Sequence, residues 1–292
     1  MQAPLVSILT VNYNQSAVTC DLIRSLLKIS YPNFEIVVVD NGSVNDNPSV
    51  IKQRYPSITY LETGENLGFS GGNNYGLPHC HGEFVLFINN DVEVEPDFLE
   101  PLVDVFSQFP KVGMASPKIH FYDVPGLIQY AGSTPINPFT IRNAGIGSMQ
   151  KDEGQYNDTR LTAYIHGACM LVSRDAMNDV GWMFDDYFLY YEELDWCHRI
   201  QRAGFQIVYV GNSLIHHKES VSVGRASPLK MYYLTRNRLL FARRNFSFWE
   251  RIIAMIFFTF VSIPKNLITL LIKRQFNLIG PFFKGVYWNL VN

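Results

Sequence analysis

The sequence predicts an α/β fold built on a doubly wound, mostly parallel sheet. Short apolar runs such as residues 34–39 (FEIVVV) and 83–88 (EFVLFI) are near-continuous, which is typical of strands buried on both faces in a parallel sheet. Segments with apolar residues at helical spacing alternate with these runs through residue 106. Such alternation favours right-handed crossovers between parallel strands.

The first part of the chain contains four predicted strand–helix pairs. The strands are predicted at 5–11, 34–39, 58–61 and 83–88, and the helices at 17–29, 48–55, 68–77 and 96–106. Ligands of such sheets bind beyond the carboxyl ends of the strands. Asp40 directly follows a predicted strand, and Asp91 follows another after two asparagines. We therefore expect these two carboxylates to converge at one edge of the sheet.

The remainder of the chain is less regular. Residues 111–160 mix Gly, Pro and short apolar pieces, which predict strands of poorly defined limits. We predict a strand at 162–173 (TAYIHGACMLVS), a helix at 192–203 closed by Gly204, and a strand at 206–210. From Pro228 onward the pattern is helical.

Composition and charge exclude a disordered chain and divide the sequence in two. Of 292 residues, 47% are hydrophobic and 17% are charged. The net charge of −2 indicates no particular partner, and we expect no nucleic acid. However, residues 218–292 carry 12 Lys and Arg against 2 Asp and Glu, whereas the rest carries 12 against 24. A basic, apolar end favours contact with anionic lipid or a lipid-linked substrate; the alternative is a basic helical subdomain packed on an acidic one. We predict a domain at 1–227 and a helical, membrane-associating region at 228–292.

Residues 252–272 are the most apolar part of this C-terminal region. A simple membrane span needs about 20 apolar residues, and Pro264-Lys265-Asn266 interrupts this segment. We therefore predict a membrane-surface helix or re-entrant helix pair, with Trp249, Tyr287 and Trp288 as interfacial anchors. The alternative is a helix buried against the first domain or a partner subunit.

The cysteines and the N-terminus indicate a reducing compartment. The four cysteines have neither metal-binding nor redox spacing, so we expect buried thiols. The first four residues lack a basic segment, so no signal peptide is expected.

Two polar segments in the first half are candidate nucleotide-binding elements. Asp40 could accept hydrogen bonds from a base or ribose, although Asp40-Asn41-Gly42-Ser43 is also good turn sequence. Residues 65–73 (ENLGFSGGN) are rich in glycine, which permits close backbone approach to an anion before a helix. They match neither the P-loop nor the GxGxxG pattern, and the glycines could equally allow tight packing.

Asn89-Asn90-Asp91 and His217 are candidate metal-binding residues. A diphosphate bound to Mg²⁺ or Mn²⁺ requires hard oxygen ligands at a rigid edge, and an imidazole could complete such a site. The alternatives are an ordinary turn at Asp91 and a structural histidine. A basic loop containing Arg225 follows and could close over a diphosphate.

Three carboxylates stand within four residues at 192–195, among aromatic residues. On a helix, Glu192 and Asp195 share a face, and Asp195 can pair with Arg199 four residues later, which is a structural role. Glu193 points about 100° away from Glu192. We therefore expect Glu193 to act as a general base on an acceptor hydroxyl.

Taken together, these motifs resemble family-2 glycosyltransferases of the GT-A type, most closely the bacterial rhamnosyltransferase-like branch. The matching segments run in the family's order over residues 4–245: VSILTVNYN, VVVDNGS, ENLGFSGGNNYG, FINNDV, HGACMLVSR, FLYYEELDWCHRIQRAG, IHHKESVSVG and YYLTRNRLLFARRN. The resemblance implies a GT-A fold, a nucleotide-diphospho-sugar donor, Mg²⁺ or Mn²⁺, and transfer with inversion.

The resemblance also implies roles for individual residues. Asp40 corresponds to the residue that contacts the base, Asp91 to the last acid of the Asp-x-Asp metal motif, and Glu193 to the base. His217 matches a histidine in the C-terminal part of the site. Asn89 replaces the first acid of the metal motif, and a Glu stands where the family has an Asp base. The predicted catalytic residues are Glu193, Glu192 and Asp195, and the predicted metal ligands are Asp91 and His217. The predicted donor-binding residues are Thr10, Asn12, Asp40, Asn66, Gly68, Asn73, Asn89, Asn90, Gly167 and Arg225.

The predicted function is sugar transfer, with L-rhamnose from dTDP-rhamnose as the first expectation by resemblance. The acceptor is expected to be a polysaccharide or a polyprenyl-diphosphate-linked glycan at the cytoplasmic face of the membrane. One alternative is a non-catalytic sugar-nucleotide or glycan-binding protein, which Asn89 favours. Another is a nucleotidyltransferase, but residues 10–16 (TVNYNQS) lack the Lys or Arg of its signature.

Overall fold

The computed structural model describes residues 3–219 and 227–292, and these form two compact units. The first unit comprises residues 3–134, Gly145–Phe188 and 192–219. The second comprises Pro135–Ala144, Leu189–Tyr191 and 227–292.

Within its described residues, the first unit is built on one mixed sheet of ten strands in the order β3-β2-β1-β4-β9-β6-β10-β5, with β7 paired to β6 and β8 to β10. The strands are β1 (Val6–Asn12), β2 (Phe34–Asp40), β3 (Thr59–Glu62), β4 (Phe84–Ile88), β5 (Val92–Val94), β6 (Val112–Phe121), β7 (Ile128–Tyr130), β8 (Thr159–Leu161), β9 (Cys169–Ser173) and β10 (Gln206–His217). The helices are α1 (Ser16–Leu26), α2 (Ser49–Arg54), α3 (Gly68–Gly76), α4 (Leu99–Gln108), α5 (Arg174–Val180) and α6 (Glu192–Arg202).

The predicted α/β fold is confirmed, and strands β1 to β4 form a parallel group, with β6 and β10 as a second parallel pair. Strand β1 pairs in parallel with β2 and β4, and β2 pairs in parallel with β3. Strand β9 then runs antiparallel to both β4 and β6. The sheet as a whole is therefore mixed. The carboxyl ends of β1, β2 and β4 still share one edge, which brings Asn12, Asp40 and the 89–91 segment to the same side.

The strand predicted at 162–173 is wrong in its first half. The regular strand begins only at Cys169, and a turn precedes it in which the Cys169 amide donates to the His166 carbonyl at 3.2 Å. Gly167 lies within this turn. The apolar character of residues 163–165 reflects burial in a non-strand conformation, since Tyr164 and Ile165 are buried.

Two long buried strands are predicted with poorly defined or too narrow limits because polar residues interrupt them. Strand β6 contains Ser116, Lys118 and His120, all of which are buried. Lys118 Nζ lies 2.7 Å from Asp152 Oδ2, and His120 Nε2 lies 2.9 Å from the same atom. These polar groups are partnered and so tolerate burial. Strand β10 similarly continues to His217, well beyond the predicted end at residue 210.

The second unit is helical, as predicted from Pro228 onward. Its helices are α7 (Pro228–Asn245), α8 (Phe248–Phe257), α9 (Ile263–Ile272) and α10 (Ile279–Val291). Helices α7 and α10 pack closely at Gly285, where a Cβ atom would lie 2.7 Å from the Tyr232 carbonyl oxygen. The buried Asn237 of α7 donates hydrogen bonds of 2.8 and 2.7 Å to the carbonyls of Leu189 and Tyr190.

Helices α8 and α9 form one continuous helix, Phe248–Ile272. A π-helical turn at Phe258–Ser262 joins them, and Pro264 falls in the first turn of α9, where its missing N–H is tolerated. The helix therefore passes through the predicted interruption at Pro264. Among the described residues, it is the one helix long and apolar enough to cross a membrane by length and composition. Within its most apolar 18-residue stretch, only 17% is buried.

Candidate active site

Asp40 lies at the end of β2 and is held by two neighbouring polar residues. Asn12 Nδ2 donates to Asp40 Oδ1 at 2.8 Å, and Ser43 Oγ donates to the same oxygen at 2.6 Å. The Ser43 amide donates to Asp40 Oδ2 at 3.1 Å. The carboxylate is only 4% exposed. The 40–43 segment therefore forms a turn, and it also holds the Asp40 carboxylate in a fixed position at the sheet edge.

A chain of hydrogen bonds links Asp40 to the end of β4. Thr19 Oγ1 of α1 donates to Asn12 Oδ1 at 2.6 Å, and Asn90 Nδ2 donates to Thr19 Oγ1 at 3.0 Å. Asn12 thus accepts from one side and donates to Asp40 on the other. This network fixes the ends of β1, β2 and β4 relative to one another, and Asp91 follows directly.

The glycine-rich segment packs closely on the strands. Asn41 Nδ2 donates to the Gly68 carbonyl at 2.9 Å, and Asn41 Oδ1 accepts from the Leu67 amide at 3.0 Å. Gly68 has φ +75°, and a Cβ atom there would lie 2.3 Å from the Phe188 carbonyl oxygen. In α3, a Cβ atom at Gly76 would lie 2.5 Å from Leu9 Cδ1 of β1. The packing explanation therefore accounts for these glycines without a ligand.

The other predicted donor-binding residues have mixed surroundings. Asn66 Oδ1 accepts from the Gly68 amide at 2.9 Å, and Asn73 Nδ2 donates to the Phe69 carbonyl at 2.9 Å. Asn73 is 1% exposed and Thr10 is fully buried in β1. Arg225 lies outside the described residues.

Asp91 and His217 meet because β5 and β10 pair. His217 is in register with Val92, and its Nε2 lies 3.2 Å from Asp91 Oδ1. His217 Nδ1 lies 2.8 Å from Gln129 Oε1, an oxygen that can only accept, so Nδ1 carries the proton. In the neutral ring Nε2 then presents a lone pair. Asn89 Nδ2 lies 3.4 Å from this same nitrogen.

This pair fits a divalent cation. Asp91 is 5% exposed, and its Oδ1 is a buried atom without a hydrogen-bond partner in the described part of the chain. Two electron-rich atoms facing each other at 3.2 Å repel unless a cation or proton lies near them. Gln129 orients the imidazole in the way typical of metal-ligating histidines. No group of three His, Cys, Asp or Glu able to hold a metal occurs among residues 3–219 and 227–292, so diphosphate oxygens and water would supply the remaining ligands.

The turn at residues 166–168 lies between the metal-binding candidates and Glu193. The His166 ring stands 5.7 Å from the His217 ring, centroid to centroid. The Asn89 amide donates to the Ala168 carbonyl at 3.0 Å. A Cβ atom at Gly167 would lie 3.8 Å from Glu193 Cγ and 3.9 Å from Cδ. Burial lowers the pKa of His166 to about 3, so that its imidazole is neutral.

The three carboxylates of α6 occupy different environments. Asp195 is 1% exposed, accepts from Tyr187 Oη at 3.0 Å and pairs with Arg199 Nε at 2.9 Å. The predicted i, i+4 ion pair is therefore confirmed. Glu192 is also buried, at 4% exposure, whereas Glu193 is partly exposed and packs against Gly167.

Comparison with known proteins identifies the family. The sequence model described as glycosyl transferase family 2 matches residues 7–181, more than half of the chain. The chain belongs to glycosyl transferase family 2. The resemblance inferred from the motifs is thus confirmed, and the protein is a glycosyltransferase.

Two curated relatives of this glycosyltransferase align over most of their own length. The N-acetylglucosaminyl-diphospho-decaprenol L-rhamnosyltransferase of Mycobacterium tuberculosis is 28% identical over 238 residues, covering 74% of this chain and 76% of the relative. The low-salt glycan biosynthesis hexosyltransferase of Haloferax volcanii is 27% identical over 297 residues, covering 98% and 91%.

Solved structures share the GT-A fold of this glycosyltransferase. The Pyrobaculum calidifontis mannosyltransferase in complex with GDP-Man and Mn²⁺ superposes with a TM-score of 0.60 at 15% identity, covering 98% of this chain and 87% of the other. GalNAc-T7 with UDP, GalNAc and Mn²⁺ also gives 0.60, at 14% identity, covering 73% and 44%.

Three residues of the candidate site are not predicted from the sequence. Thr19 bridges Asn12 and Asn90, Gln129 orients His217, and His166 stands beside His217. Gln129 lies in a short strand within the irregular segment, where nothing local marks it. His166 belongs to a segment that carries the family resemblance. The sequence predicts a strand there, however, and so does not predict the turn that orients the His166 ring.

Proposed function

We propose that this glycosyltransferase is an inverting, metal-dependent enzyme that transfers a hexosyl unit from a nucleotide-diphospho-sugar to a hydroxyl of a lipid-linked or polysaccharide acceptor. L-rhamnose from dTDP-rhamnose is the proposed donor, supported by the name of the mycobacterial relative. The observation that carries the proposal is the short path from Asp91 and His217, through the 166–168 turn, to the carboxylate of Glu193.

We propose that the sheet edge binds the donor. Asp40 is preorganised by Asn12 and Ser43, so it offers fixed acceptors to the nucleoside, and Asn90 extends the same polar network. Asp91 and His217, with Asn89 beside them, would hold Mg²⁺ or Mn²⁺. When bound, such an ion neutralises charge that develops on the leaving diphosphate.

Glu193 is the proposed general base. It accepts the proton of the acceptor hydroxyl as that oxygen attacks the anomeric carbon opposite the leaving diphosphate, which inverts the configuration. Its partial exposure leaves room for an acceptor. Because the two substrates are held in line, much of the rate enhancement comes from orientation.

The Glu193→Gln variant tests this proposal. The amide preserves shape but cannot take a proton, so we expect donor binding to be unchanged and transfer to fall about 10²–10⁴-fold. Transfer is measured by nucleotide release over a panel of UDP- and dTDP-sugars, with Mg²⁺, Mn²⁺ or a chelator, and membrane extract as acceptor source. Glu153→Gln, at an exposed loop position, is the matched control. Near-normal turnover in Glu193→Gln would assign the base elsewhere in α6.

The same assay separates this proposal from a non-catalytic binding protein. Asn89 in place of an acid at the first metal-motif position is the feature that favours such a protein. Release of nucleotide by the wild-type chain from any donor excludes it.

A membrane-bound acceptor on the cytoplasmic face is the proposed setting. The apolar helix Phe248–Ile272, the excess of Lys and Arg after residue 217, and the decaprenol-linked substrate named for the mycobacterial relative support it.

A further inference from the structure

His166 has a defined tautomer. The Ala168 backbone amide donates to His166 Nδ1 at 3.1 Å. A backbone N–H can only donate, so Nδ1 is the acceptor nitrogen, and a neutral imidazole then carries its proton on Nε2. His166 is the first residue of this turn. Its ring therefore presents one N–H donor, at Nε2, on the side opposite the Nδ1 that faces the turn.

The Nε2–H donor has no hydrogen-bond partner in the part of the chain that the structure describes. The side chain of His166 accepts its hydrogen bond through Nδ1, and its ring also contacts the rings of Tyr130 and His217, at centroid distances of 5.8 and 5.7 Å. No hydrogen bond from Nε2 occurs within residues 3–219 and 227–292. His166 is a partly exposed residue, and its Nε2 is not among the buried polar atoms that lack a partner in the described residues, so this nitrogen is open to a ligand.

The position of the ring indicates which ligand. On one side, His217 brings Asp91 Oδ1 to 3.2 Å from its own Nε2. On the other, Gly167 directly follows His166 and packs against the Glu193 side chain. The ring thus lies between the proposed diphosphate-binding residues and the proposed base, where the bond between sugar and diphosphate would lie.

We propose that His166 is a catalytic residue that donates its Nε2–H to a diphosphate oxygen of the sugar donor. The inference rests on the proposed function. As the acceptor oxygen bonds to the anomeric carbon, the bond from that carbon to the diphosphate oxygen breaks and its electron pair remains on the diphosphate. The proton stays on Nε2, and the hydrogen bond strengthens as negative charge grows. A fixed donor of this kind acts on the transition state more than on the ground state.

Two variants distinguish this catalytic role of His166 from a purely structural role in shaping the turn. An Asn side chain accepts readily from the backbone amide two residues later, which is the Ala168 amide, so His166→Asn retains the turn but loses the outward donor. A Gln side chain reaches farther, so His166→Gln can place an amide N–H near the position of Nε2 while giving up the turn hydrogen bond.

The experiment compares these variants with the wild-type chain in nucleotide release and in calorimetric binding of UDP, UMP, dTDP and dTMP with Mn²⁺. We expect His166→Asn to lose transfer about 10²-fold, in the range for removal of one oxyanion donor, and His166→Gln to remain within about tenfold of wild type. His166→Asn should also lose part of the preference for nucleoside diphosphate over monophosphate. Thermal unfolding of each variant verifies that the chain is folded.

Two outcomes overturn the inference, and they are distinguishable. If the wild type transfers sugar but His166→Asn equals or exceeds His166→Gln in transfer and in diphosphate preference, His166 only shapes the turn and the proposed function stands. If the wild type neither binds a nucleotide nor releases one from any donor, the proposed function and the inference both fail.

Discussion

At the scale of single residues, the carboxylates of this glycosyltransferase are distinguished by their partners. Asp195 has both oxygens engaged by Tyr187 and Arg199, whereas Asp91 has a buried oxygen that lies against the lone pair of His217. The first arrangement satisfies a buried charge within the protein, and the second leaves an oxygen that a cation or a proton would stabilise. The same residue type thus has a structural role at Asp195 and a proposed metal-binding role at Asp91.

We predict that Asp195→Asn destabilises the protein without removing the base. The substitution leaves the guanidinium of Arg199, which is 16% exposed, without its counter-charge. Loss of one partner of such a buried pair costs about 3 kcal/mol or more, measurable as a reduced free energy of unfolding in urea. The folded variant should still transfer sugar faster than Glu193→Gln. A variant as inactive as Glu193→Gln at full stability would give Asp195 the chemical role instead.

At the scale of helices and strands, close packing at both ends of α3 explains a motif that resembles a ligand-binding loop. Gly68 has a positive φ angle and faces the Phe188 carbonyl, and Gly76 lies against Leu9. Neither position has space for a side chain. Gly68 therefore lets α3 approach the Phe188 segment and Gly76 lets it approach the sheet, and the hydrogen bonds of Asn41 fix the loop before the helix.

We predict that Gly68→Ala destabilises the first unit by more than the usual conformational penalty. The positive φ angle alone costs about 1 kcal/mol for a non-glycine residue, and the added Cβ would meet the Phe188 carbonyl at 2.3 Å. Denaturation of the variant should show a lower midpoint than wild type. Gly64→Ala is the control, because Gly64 also has a positive φ but its Cβ would meet nothing within 4 Å. Equal losses in the two variants would show that the steric contact contributes nothing.

The elements that could be predicted from sequence are those with a clear local pattern of apolar residues. Strands β1, β2 and β4 are mostly apolar runs, and α1 and α6 have clear helical periodicity, so the sequence predicts that these elements exist. Strand β6 was not, because its Lys118 and His120 are buried through contacts with Asp152, 32 residues or more away in sequence. For the site, Asp40, Asp91, Glu193 and His217 came from position and resemblance. Gln129 and His166 depend on tertiary contacts that no local pattern encodes.

At the scale of the whole molecule, the dominant feature is the contrast between the acidic first 217 residues and the basic, apolar remainder. The helix Phe248–Ile272 exposes large apolar residues, including Phe260 at 75% and Ile272 at 76%. Lys273 and Arg274 directly follow it and are exposed. Of the expected interfacial anchors, Trp249 and Tyr287 are exposed, whereas Trp288 packs against Arg236, whose guanidinium lies 4.7 Å from the ring centroid.

We predict that the full-length chain binds vesicles containing anionic phospholipid more tightly than neutral ones, with affinity falling as salt rises. Replacing Lys273 and Arg274 together with Glu should weaken binding at least about 30-fold, since each basic residue near an anionic surface contributes about 1 kcal/mol. Co-sedimentation measures this, with Lys28→Glu plus Lys52→Glu, exposed in the first unit, as control. Retention after a high-salt wash would indicate insertion of the helix, and no binding to either vesicle would contradict membrane association.

The pairing of β5 with β10 also determines when, during synthesis, the site can exist. Asp91 immediately precedes β5, and its partner His217 is the last residue of β10. A nascent polypeptide that has emerged from the ribosome only through residue 181, the end of the span matched by the family, therefore carries the carboxylate without the imidazole. The Asp91–His217 pair, and with it the proposed donor site, therefore forms late in translation, once most of the first unit has already been made.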